Sequence, residues 1–211
     1  SRLIFKRHFK AKPARISFVQ LIVLPINFIS TAASAALFGL LLLIAFAVTA
    51  PMGSQEYYGF YRYDYLLFYA LMIQICLLYL KLESWDEAKV IALFHIMAMG
   101  MEIFLTHPAI ASWQYPQPAI FKLLTVPLFA GFMYSAVGSF FARSLRLYQV
   151  SFENLPQFGN MLCLAVLSYL NFMTKFFIPD IRMGLFIWSV VIFWKTKLYF
   201  QLQQHQFKVP M

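Results

Sequence analysis

A chain of 211 residues that is 62% hydrophobic and only 12% charged, with a mean hydropathy of +0.70, cannot cover its surface with polar groups. That excludes an ordinary soluble domain and points to an all-α, polytopic transmembrane helix bundle. The net charge of +9 does not argue for nucleic acid. Six of the seventeen cations fall within residues 2–15 and most others flank apolar runs, which is how membrane proteins distribute Lys and Arg.

In chain order, residues 1–15 carry Arg2, Lys6, Arg7, Lys10, Lys12 and Arg15 with no acid, a basic tail suited to an anionic cytoplasmic membrane face. No charge occurs from Ile16 to Ala50. Pro25 divides that run, so residues 1–25 read as tail and interfacial segment, with the first span at 26–49. The second span is expected at 62–82 and the third at 85–106. Ser84 and Glu87 have capping-box spacing at the start of the third. A Pro-rich, aromatic loop fills 107–121, and further spans follow at 122–142, 158–176 and 181–200. Residues 26–200 thus form a six-helix transmembrane domain, and 201–211 a polar end. With the N-terminus cytoplasmic, thirteen cations lie on inner segments and four on outer ones, placing both ends on the cytoplasmic side of the cell membrane. Cys76 and Cys163 lie in apolar runs and read as small core residues, with no disulfide or metal implied.

The third span holds the residues most in need of explanation. Glu87, Ile91, His95, Ala98 and Glu102 fall three or four apart on one face. His95 and Glu102 sit at depths where lipid exposure is costly, so both are expected to point into the bundle. They are either the candidate acid–base pair of a functional pocket or members of a structural hydrogen-bond network, with the stripe simply marking the buried face. Glu102 is expected to reach a polar partner among Asp64, Tyr134, Lys175 and Arg182. Asp86 and Glu87 are explained by dipole and cap, and Asp180 after Pro179 by a helix N-cap. If the helices converge, Asp64, Glu102, Lys175, Asp180 and Arg182 share an outer, mixed-charge region able to bind an anionic head group or relay a proton, with Tyr115 and Tyr134 as further candidates. Trp113 and Tyr115 also suit an interfacial aromatic belt. Gly131, Ser135 and Ser139 form a small-residue seam for close helix approach. His95 and His107 have poor metal spacing, and no phosphate loop, dinucleotide glycine pattern or HExxH is present.

Taken together, Arg62/Asp64, Glu83, Asp86-Glu87, Lys89, Phe94-His95, Glu102, Trp113, Tyr115-Pro116, Pro127, Gly131-Phe132-Met133-Tyr134, Asn171-Phe172 and Asp180/Arg182 resemble a family. It is the YoaT-like family of uncharacterised bacterial integral membrane proteins, a domain of unknown function. The resemblance covers most of residues 62–190 and implies a cell-membrane protein with no assigned activity. It also implies paired histidines where this chain has Lys175-Phe176, and further helices past residue 211. Three functions fit these readings: an enzyme acting on a lipid or isoprenoid, a small-solute or proton-coupled transporter, and a non-catalytic membrane component. The expected partners are membrane lipids and a lipid-like ligand, with no nucleic acid.

Overall fold

The computed structural model describes residues 18–202 and 205–210, so the basic tail at 1–15 lies outside the described residues. Its helices are α1 (Phe18–Ala35), α2 (Leu37–Thr49), α3 (Arg62–Tyr79), α4 (Trp85–Leu105), α5 (Ala130–Leu147), α6 (Phe158–Thr174) and α7 (Arg182–Phe193). Five short strands accompany them: β1 (Lys122–Leu123), β2 (Val126–Pro127), β3 (Ser151–Glu153), β4 (Lys197–Leu202) and β5 (His205–Pro210). The fold is therefore mostly helical, with two small antiparallel sheets.

Among the described residues, α4 alone is long and apolar enough to cross a membrane unaided. Its 21 residues rise about 31 Å, the thickness of a hydrocarbon core. The stretches Ile22–Ala35 and Leu37–Met52 qualify as one further span if taken as a broken pair, and α6 and α7 are shorter apolar helices. By length and composition the six expected spans reduce to these.

Three boundaries differ from expectation. Helix α1 runs straight through Pro25, and the break falls at Ala36, at the end of a run of small residues. Arg143 Nη2 donates to the Ser34 carbonyl there (2.8 Å), satisfying a group that the interrupted helix leaves free. Helix α5 starts at Ala130 and not at 122. Residues 122–127 instead make a tight ribbon, with Leu124 at φ 55° in its turn and Pro127 at its end. After α7 the chain turns into a hairpin, β4 with β5, and β3 pairs along the other side of β4.

The described chain divides into two compact units, Ala33–Arg143 and the remainder. In the Ala33–Arg143 unit the core is Phe38, Leu42 and Ala45 of α2 against Leu66, Leu67, Ala70, Ile73 and Leu77 of α3, with Phe129 and Phe132. In the other unit, Leu24, Tyr148 and Leu202 form a small core under Phe200 and Phe207. Cys76 and Cys163 correct the sequence reading: both thiols are exposed on apolar helix faces, because neither helix buries that side.

Candidate functional site

The stripe on α4 is its buried face. Glu87, Ile91, Ala98 and Glu102 are all buried, while His95 is half-buried. Ser84 caps the helix: its Oγ accepts the Glu87 N–H (3.3 Å) while Glu87 Oε2 accepts the Ser84 N–H (2.7 Å). Against this face runs α5, antiparallel, and its small residues let it approach. A Cβ on Gly131 would lie 2.5 Å from His95 Nδ1, and one on Gly138 would lie 2.8 Å from the Phe94 ring. Between them Ser135 Oγ donates to the Ile91 carbonyl (3.1 Å).

Glu102 is only 1% exposed, and three donors converge on its carboxylate. Trp113 Nε1 (2.9 Å) and Tyr115 Oη (2.7 Å) donate to Oε2, and Tyr134 Oη (2.6 Å) donates to Oε1. Side chains on a helix lean toward its N-terminus; that direction carries Tyr134 of antiparallel α5 back toward Glu102. Burial first, and then the bond to Glu102, push the Tyr115 phenol well above its usual range. Of the expected partners of Glu102, only Tyr134 is found bonded to it. Trp113, expected in an interfacial aromatic belt, is instead one of the three donors to Glu102. Its signal was present in the sequence: an acid at the end of a helix, then Trp and Tyr two apart in a proline-bracketed loop.

Asp64, fully buried, holds the same loop further along. Its carboxylate accepts the N–H groups of Ile120 (3.0 Å) and Phe121 (2.9 Å) as well as that of Tyr61 at the start of α3 (3.0 Å). Arg62 Nη1 reaches Gln117 Oε1 (3.4 Å), and Thr106 bonds Thr125 (2.6 Å). The loop at 107–125 is thus fastened at several separate points by α3 and α4. At the opposite end of α4, Glu83 accepts from Ser139 Oγ (2.7 Å) and Gln74 Nε2 (2.6 Å) and pairs with buried Arg143 (3.8 Å). His95 Nδ1 is buried with no hydrogen-bond partner and lies against Gly131, its ring 4.5 Å from that of Phe132. No group of three metal-ligating side chains occurs among the described residues.

Lys175, Asp180 and Arg182 belong to the other compact unit. They sit between α6 and α7. Asp180 Oδ1 accepts from Asn171 Nδ2 (2.9 Å) and the Arg182 N–H (2.9 Å), and Oδ2 from Arg182 Nε (2.6 Å); Arg182 Nη2 also pairs with it. Asn171 Oδ1 in turn accepts the Ile181 N–H (2.9 Å). Asp180 is therefore not the N-cap of α7, which is Ile181, but the residue before it. Arg182, and then Asn171, hold the Asp180 carboxyl well below the usual carboxylate range. Lys175 Nζ lies over the rings of Phe172 (4.5 Å) and Phe176 (5.3 Å). These polar groups line one part of a cavity of about 480 Å³ whose other walls include Leu164, Leu185 and Phe186.

The family described as "Protein of unknown function (DUF817)" matches residues 25–211. The Bacillus subtilis (strain 168) protein described as "Uncharacterized protein YoaT" is 35% identical over 150 residues, covering 71% of this chain and 56% of that protein. The chain therefore spans little more than half the length of this curated relative. No solved structure matches. With a match that reaches from Pro25 through Met211, this chain belongs to the DUF817 family of proteins of unknown function.

Proposed function

We propose that this is a multi-pass integral membrane protein, N-terminus cytoplasmic, that holds a lipid-like amphiphile in the cleft between α6 and α7. The observation that carries the reading is the make-up of that cleft: Leu164, Phe172, Leu185 and Phe186 offer apolar walls, while Lys175, Arg182, Asp180 and Asn171 supply a polar end. A cavity of a few hundred Å³ with mostly apolar lining and a few convergent polar groups is the usual form of a small-ligand site. The membrane reading draws on the thirteen-to-four division of cations and on the apolar residues exposed along α6 and α7, among them Leu162, Val166, Phe186, Ile187 and Val191.

Glu102 takes no acid–base role in this reading. Its carboxylate is shut away from any substrate atom and already occupied by three donors, so it serves as the anchor of the 107–125 loop. Purification in mild detergent followed by mass spectrometry is expected to find a co-purifying amphiphile that is lost in Leu185→Trp, which fills the cleft. Retention of the same amphiphile in that variant would refute the site. Topology is tested by single cysteines at Ser54, Gln114 and Gln149 in a background without Cys76 and Cys163. The first two are expected to label from outside and the third from inside; any other pattern overturns the orientation.

A further inference from the structure

The charges lining the α6–α7 cleft do not cancel. Asp180 and Arg182 neutralise each other through a forked contact, and Asn171 and the Arg182 N–H fix the carboxylate in place. Lys175 has no carboxylate within ion-pair reach among the described residues; aromatic rings alone support its ammonium. The lining therefore carries one net positive charge, held at one end of a mostly apolar cavity that Ser168 and Ser189 also line. Cation–π support keeps an ammonium oriented without consuming its charge, so its hydrogen-bonding capacity stays open to an anion.

We infer that the occupant of this cleft carries a single negative charge on its head group, such as a phosphodiester or a carboxylate, and that Lys175 is the residue that receives it. This rests on the reading of the cleft as an amphiphile site. Arg182 acts as a positioning residue for the rim, since its guanidinium is already committed to Asp180.

The test uses the full chain purified in dodecyl maltoside, with native mass spectrometry reading the occupancy of added phosphatidylglycerol or phosphatidylcholine of identical acyl chains. Wild type is expected to favour the singly anionic lipid by about tenfold, the scale of one charge-assisted contact. Lys175→Gln is expected to lose that preference and Lys175→Arg to keep it. Lys208→Gln, on the exposed face of the hairpin, should leave it unchanged, which separates the site from general attraction to a basic protein. Inorganic phosphate should fail to displace the lipid; displacement would make the ligand a free anion and overturn the lipid assignment. Equal binding of the two lipids, or a preference that survives Lys175→Gln, would overturn the head-group inference while leaving the cleft itself standing. If neither lipid binds, and Leu185→Trp alters nothing, the cleft reading falls with it.

Discussion

Replacing Glu102 by Gln tests the loop anchor with almost no change of shape. The carboxylate receives one indole and two phenol donors, at 2.6 to 2.9 Å, in a site that water does not reach. A hydrogen bond to a charged group contributes about 1.5–3 kcal/mol and a neutral one about 0.5–1.5, so three bonds each weakened by about 1 kcal/mol come to about 3. Removing a buried charge gives some of this back, and the net loss is expected to be about 2 kcal/mol. Equilibrium unfolding in mixed mild and denaturing micelles measures it, and limited chymotrypsin cleavage across 113–121 reports the loop directly. Tyr134→Phe should cost less alone and still less in the Glu102→Gln background, because the two share one bond. A Glu102→Gln protein within about 0.5 kcal/mol of wild type, with unchanged cleavage, would refute the clamp. So would loss of the co-purifying amphiphile with no loss of stability, since that would return Glu102 to the ligand site.

Gly131→Ala places a Cβ in the His95 ring and is expected to destabilise by about 1–3 kcal/mol despite the better helix propensity of Ala. His95→Ala in the same chain should restore most of that loss in a thermal melt; a lone Gly131→Ala that stabilises would show that the imidazole simply moves. Ser84→Ala removes the acceptor for the Glu87 N–H at the start of α4 and should cost about 1 kcal/mol in the same assay. Asp180 has a lowered carboxyl pKa, so its contribution is present above the unfolded carboxylate value of about 3.9 and fades as pH falls below it. The difference in melting temperature between wild type and Asp180→Asn should therefore hold from about pH 8 to about pH 5 and shrink below about pH 4. A difference that grows on acidification would contradict the assignment.

How far these features were legible in the sequence depended on whether their signal was local. The start of α4 was readable because a capping box is written in four consecutive residues, Ser84 to Glu87, and its buried stripe because helical spacing shows in a single segment. Pro25 was misleading. A proline forbids one backbone hydrogen bond, but whether the helix breaks there depends on what the neighbouring turns can supply. In this chain the donor that satisfies the real break comes from Arg143, more than a hundred residues away. The late start of α5 has the same origin. The N–H groups of Ile120 and Phe121 are taken by Asp64 of α3, a contact with no trace in the local pattern. The hairpin was legible in principle, since Lys197-Leu198-Tyr199-Phe200-Gln201-Leu202 alternates polar and apolar with period two. The expected span at 181–200 absorbs its first half because it follows an apolar helix without a turn signal.

The polar residues picked from the sequence were chosen for being charged where the surroundings are apolar, and that criterion cannot separate an anchor from a binding group. What separates them is whether the charge is already satisfied. Glu102 has three donors, Asp64 accepts three backbone N–H groups, and Glu83 holds Ser139, Gln74 and Arg143. Each of these acids sits among donors from its own fold, and each ties a loop to a helix. A carboxylate so enclosed offers a ligand nothing, because any new bond must displace a better one. Lys175 differs in kind: it is an ammonium at the rim of a cavity, steadied by aromatic rings and matched by no acid among the described residues. No acid among the described residues answers its charge, and that, on the proposal above, is the physical reason for seeking a ligand between α6 and α7 and not around Glu102.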